Sequence, residues 1–176
     1  MTCPTRAIAA MTLITLCSSA GSATGFEIES SAFEDGGEIA TKYTCEGQDL
    51  SFPLSWSGVP DGAKSLVLVV DDPDAPGTTW VHWVLYDLPA QDGSLPEDVD
   101  RDRLPAGTGE GQNDWKRTGY GGPCPPTGRH RYFVKLYALD TKLDDLGPAT
   151  QARVAKAMRG HILQSAQIVG TYQKHH

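Results

Sequence analysis

A β-rich, turn-rich fold is predicted by three observations. Gly and Pro supply 19 and 12 of the 176 residues, a load that favours strands joined by tight turns over a helical bundle. The run Ser65-Leu66-Val67-Leu68-Val69-Val70-Asp71 is apolar without interruption, as expected of a central strand buried on both faces. Only one segment carries convincing helical spacing. A 39% hydrophobic content with four Trp is too apolar for a disordered chain.

Residues 1–23 stand apart. One charge, Arg6, precedes the apolar run Ala7–Leu16, and small residues follow from Ser18 to Ala23. This is the pattern of a secretory signal peptide, with cleavage expected after Ala20 or Ala23, and the run is short of the roughly 20 residues that cross a membrane. A lipoprotein anchor at Cys17 is disfavoured by bulky Leu16. The expected organisation is a leader over 1–23 and one domain over 24–176, in a protein that is exported, periplasmic or secreted. Losing Arg6 takes the net charge from −7 to −8. Such an acidic chain lacks the basic face of a nucleic-acid binder.

Within the domain, short strands are predicted at 26–29 and 52–56, followed by the central strand 65–71. Trp80–Tyr86 should be central too: alternation puts Trp80, His82, Val84 and Tyr86 on one face and Val81, Trp83 and Leu85 on the other. Residues 89–126 show little periodicity, and a loop of that length in a compact domain is more often functional than idle. Arg131–Leu139 makes a long strand, with Tyr132, Val134, Leu136 and Ala138 facing one way. A helix is predicted to start at Pro148–Thr150 and to present Val154, Met158 and Ile162, with Gly160 weakening its last turn. A strand at 167–172 closes the domain.

Two segments hold unusual combinations: Asp71-Asp72-Pro73-Asp74-Ala75-Pro76 after one strand, and Gly121-Gly122-Pro123-Cys124-Pro125-Pro126-Thr127-Gly128-Arg129-His130-Arg131-Tyr132 before another. Taken alone, His82 reads as a hydrogen-bonded core histidine, the Asp-Pro-Asp turn as Asx chemistry, and Arg131 as half of an ion pair. Their order, together with Tyr43-Thr44-Cys45-Glu46-Gly47, Leu54–Pro60, Trp80-Val81-His82-Trp83 and Leu136–Asp140, resembles the phosphatidylethanolamine-binding protein (PEBP) family. The likeness is to the bacterial YbhB/YbcL type of Raf-kinase-inhibitor-like protein in particular, and it covers about residues 26–172.

The resemblance implies a PEBP-like fold, mostly β, of antiparallel sheets packed face to face with one or two peripheral helices. It also implies a small anion pocket at one end. The implied ligand-binding residues are Asp72, Asp74, His82, Gly122, Pro123, His130 and Tyr132, with Tyr132 at the rim and Pro76 and Trp80 as further wall. A cis peptide is implied at Ala75–Pro76, and the C-terminal helix of larger eukaryotic members is expected to be missing beyond Tyr172. With Cys3 and Cys17 in the leader, Cys45 and Cys124 remain. Both lie in family-matching loops, so a disulfide between them and two reduced thiols both stay open. No metal or other cofactor is implied.

The expected function is non-catalytic binding of a small anionic or zwitterionic ligand, a phosphate or phosphoethanolamine head group, by an inhibitor or scaffold of some partner protein. Histidine and glycine-turn donors suit the phosphate, and Asp72 suits the ammonium. One alternative is an enzyme, hydrolytic or metal-dependent, that uses Asp72, His82 and His130. The other is a protease-inhibitor-like protein whose pocket only helps it dock.

Overall fold

The computed structural model describes residues 25–175, so the leader expected over 1–23 lies outside the described residues. Eight strands form two antiparallel sheets. The smaller has the order β1-β2-β5, from β1 (Glu27–Glu29), β2 (Leu54–Ser57) and β5 (Gly93–Leu95). The larger has the order β6-β4-β3-β7-β8, from β3 (Ser65–Asp72), β4 (Trp80–Leu88), β6 (Gly109–Glu110), β7 (Arg129–Leu139) and β8 (Ile162–Gln173).

Two apolar layers follow from the alternation of β3. Leu66, Leu68 and Val70 pack with Trp83, Leu85, Val134 and Leu136 against Ile28, Leu54, Trp56 and Leu95 of the small sheet. Val67 and Val69 point the other way, where helix α1 (Gln151–Ala157) lays Val154 beside Val84 and Tyr86. The large sheet is therefore the middle of three layers, and every residue of β3 is buried.

The helix is shorter than its periodicity predicts. Thr150 caps it by accepting from the Arg153 N–H, but it ends at Ala157. Gly160 turns the chain at φ +80°, and Ile162 opens β8, exposed, instead of continuing the helical stripe.

β4 departs from simple alternation twice. Val70 pairs with Trp83 and Asp71 with Val81, which leaves His82 as an extra residue in a β-bulge; a second extra residue sits between Leu85 and Leu88. The first bulge flips the phase. Val81 joins Val84 and Tyr86 on the helix side, and the His82 ring turns toward Tyr132 on the small-sheet side. This corrects the predicted face, which grouped His82 with Val84 and Tyr86.

Candidate functional site

The turn after β3 begins the site. Asp72 Oδ1 accepts the Asp74 N–H at 2.8 Å, an Asx turn, and Gly77 reverses the chain at φ +86°. That geometry needs no cis bond: there is no cis peptide among the described residues, which corrects the expectation at Ala75–Pro76.

Behind the turn, Asp72 and His130 form a buried pair. The His130 Nδ1–H donates to Asp72 Oδ2 at 2.7 Å, and both side chains are less than a tenth exposed. His130 is held there because β7 enters the sheet next to β3. The His82 Nδ1–H donates to the Gly121 carbonyl at 2.7 Å, so the neutral ring keeps its lone pair on Nε2. Burial lowers the His82 pKa and outweighs the Gly121 hydrogen bond and the Asp72 and Asp71 carboxylates, which raise it. Tyr132 lies fully buried beside the His82 ring, 5.2 Å between centroids, and not at the rim.

These groups border a cavity of about 280 Å³ lined by Asp72, Ala75, Pro76, Trp80, His82, Trp115, Cys124 and Pro126. Asp72, His82 and both expected wall residues, Pro76 and Trp80, thus reach the opening. His130 and Tyr132 stand behind Asp72 and His82. Asp74 turns away into a bidentate pair with Arg131, at 2.7 and 2.9 Å, which holds its carboxyl down at about 2. Gly122 and Pro123 are buried inside the loop. The Gly-turn amides are already used: Gly121 N–H donates to the His82 carbonyl and Gly122 N–H to Asp49 Oδ1.

Trp115 is the residue the sequence did not flag. It stacks edge-on against both Trp80 and His82, at 5.5 and 5.1 Å, and Gly121 lacks the Cβ that would strike its ring. An aromatic set in a polar, aperiodic loop was the available signal. Trp80 Nε1 and the Tyr132 hydroxyl are buried without an acceptor, and burial raises the Tyr132 pKa. Of these two unpaired donors, Trp80 belongs to the cavity wall and Tyr132 lies behind it. Among the described residues no group of three His, Cys, Asp or Glu side chains is arranged to hold a metal ion.

Cys45 and Cys124 form a disulfide with Cα atoms 5.4 Å apart, and Cys124 is both cross-link and cavity wall. Of the two expectations left open for these cysteines, the bond is the one observed.

The family model described as phosphatidylethanolamine-binding protein matches residues 29–173. The chain belongs to the phosphatidylethanolamine-binding protein family. Among PEBP relatives, a "UPF0098 protein" of Methanothermobacter thermautotrophicus is 50% identical over 148 residues, covering 84% of this chain and 98% of that one. The crystal structure of Escherichia coli YbcL, described as a member of the mammalian PEBP family, matches with TM-score 0.81 and 35% identity over 86% of this chain and all of that one. A Chlamydia trachomatis PEBP homolog matches with TM-score 0.80 and 40% identity over 86% of this chain and 99% of that one. The mostly β, two-sheet architecture expected from the resemblance is the architecture found.

Proposed function

We propose that this PEBP-family chain is a non-catalytic binding protein for small phosphate-type or phosphoethanolamine-like ligands, held in the cavity between Asp72, His82 and Trp115. The carrying observation is the buried Asp72–His130 pair at the floor of an aromatic-walled opening, with two unpaired donors alongside. Asp72 offers a carboxylate to an ammonium. Trp80 Nε1–H and Tyr132 O–H are the unpaired donors nearest a phosphoryl group there, with His130 behind Asp72. His82, neutral and anchored through Gly121, orients rather than neutralises the ligand. Asp74 acts at one remove, by fixing the turn through Arg131, and Gly122 and Pro123 shape the loop that carries Cys124.

An exported location is part of the same proposal. Disulfides persist in oxidising compartments, and among the described residues no helix is long and apolar enough to cross a membrane.

Calorimetric titration of phosphate and phosphoethanolamine tests the reading. His130→Gln should weaken both ligands by about 1–3 kcal/mol, the scale of a lost hydrogen bond to a charged group. Asp72→Asn should weaken phosphoethanolamine more than phosphate, because only the zwitterion has an ammonium. Unchanged affinity in His130→Gln would remove the pocket assignment, and turnover of a phosphomonoester abolished by the same change would favour the enzyme.

A further inference from the structure

A larger cavity, about 470 Å³, opens at the other end of β4, within the size range of small-molecule clefts. Its walls come from five separate stretches: Tyr86 and Asp87 in the second β4 bulge, Arg101, the β6 strand with its preceding turn, Thr118, and the loop 142–148.

The central feature is Glu110. This side chain is 6% exposed and lines the cavity, yet it accepts no hydrogen bond among the described residues. Its one charged neighbour is Arg101, 3.7 Å away, too far for a hydrogen bond and itself 75% exposed. Thr108, in the same wall, has a buried hydroxyl with no partner. With no protein donor within hydrogen-bond distance, a carboxyl so little exposed has the cavity as the place to meet one.

The rim adds direction. Asp87, Asp144 and Asp145 face the opening, against Lys142 and Arg101. Asp87 and Asp145 each accept a backbone N–H, from Leu143 and Gly147, while Asp144 is exposed and has no hydrogen bond among the described residues. Tyr86 is occupied by donating to the Gly147 carbonyl. These carboxylates do not gather into a group of three able to grip one metal ion. Acceptors spread over separate stretches of the wall suit a cation with several separated N–H donors better than a point charge.

We propose that this cavity binds a small organic polycation of the polyamine class, one ammonium seated against Glu110 and another at the Asp144–Asp145 rim. The net charge of −7 favours cation approach. Burial raises the Glu110 pKa and Arg101 lowers it by less, so seating an ammonium expels a proton from the fraction of protein still protonated there.

Spermidine is the probe, titrated calorimetrically at low salt between pH 5 and 7 in buffers of different ionisation enthalpy. Saturable one-to-one binding with proton release is expected. Glu110→Gln should abolish the proton release and weaken binding at least tenfold, and Arg101→Ala, which removes a competing cation, should tighten it. Absence of saturable binding, full affinity in Glu110→Gln, or weaker binding in Arg101→Ala would overturn the proposal. So would calcium binding there while spermidine does not. Phosphoethanolamine affinity should be the same in Glu110→Gln as in the unaltered chain, and a change would show the cavity to be no separate site.

Discussion

β4 carries two bulges, and the two ends of the strand have used them differently. At Trp80–Trp83 the extra residue turns His82 out of the alternating pattern and into a cavity whose buried acid is paired, Asp72 with His130 at 2.7 Å. A disulfide ties that wall down. Between Leu85 and Leu88 the second bulge opens a cavity with no disulfide among the described residues and a little-exposed carboxyl without a donor. One end holds spare donors, the other a spare acceptor. A bulge supplies the re-aimed side chain in both places, and the neighbours decide which kind of ligand is wanted.

Cutting the disulfide should separate the two ends most. The bond closes a span of 79 residues, and chain entropy assigns it about 4 kcal/mol. Cys45→Ser with Cys124→Ser should lower the urea midpoint accordingly. Hydrogen exchange should then quicken around 121–126 and Trp115 and stay unchanged at Gly109–Glu110. Equal loosening at both ends would show that the cross-link stabilises the whole sheet without singling out the cavity wall.

The paired ions at the first end give the next effect. His130→Ala strands Asp72, which is almost wholly buried, and breaking one side of such a pair costs about 3 kcal/mol. Replacing both, in Asp72→Asn with His130→Ala, should recover part of that loss, because no unpaired charge remains. A double change no better than the single one would place the cost in packing.

Asp74 tests where the first site stops. Its bidentate contact with half-exposed Arg131 is screened by water, so Asp74→Asn should cost about 1 kcal/mol. Phosphoethanolamine affinity should change less than twofold. The folded carboxyl titrates at about 2 against an ordinary 3.8, so its contribution is present above pH 3.8 and vanishes as the pH falls toward 2. Acid unfolding curves of the two proteins should therefore converge there.

These contrasts also mark what the sequence could disclose. β3 was legible because five consecutive apolar residues, Leu66–Val70, leave no polar face, and β7 because Tyr132, Val134, Leu136 and Ala138 alternate cleanly. Asp72, His82 and His130 were legible as a set through the family motifs, which carry order but not orientation. The bulge at His82 was hidden, since a one-residue insertion shows only in the pairing with β3. Ile162 misled because it continues a spacing of four after a glycine that has already ended the helix. Trp115 and Glu110 come from loops and a two-residue strand with no period, so only the closed fold brings them to a cavity.

The smallest expected effect is also the one with opposite signs at the two ends. Burial lowers the His82 pKa from 6.5, so the unfolded chain takes up that proton first. Its contribution is intact above pH 6.5 and is lost as the pH falls through that value toward the lower folded one. Glu110 runs the other way. Burial raises its pKa from 4.5, so its contribution is intact below pH 4.5 and is lost as the pH rises through the raised folded value. His82→Gln should therefore flatten the acid side of a stability profile taken from pH 4 to 8. Glu110→Gln should flatten the rise-linked loss and leave the protein slightly more stable than the parent at pH 7, an unusual sign for a change at a buried site. A Glu110→Gln protein less stable than its parent at pH 7 would mean that the Arg101 contact outweighs burial, and that the two ends of β4 are both satisfied ion-pair sites.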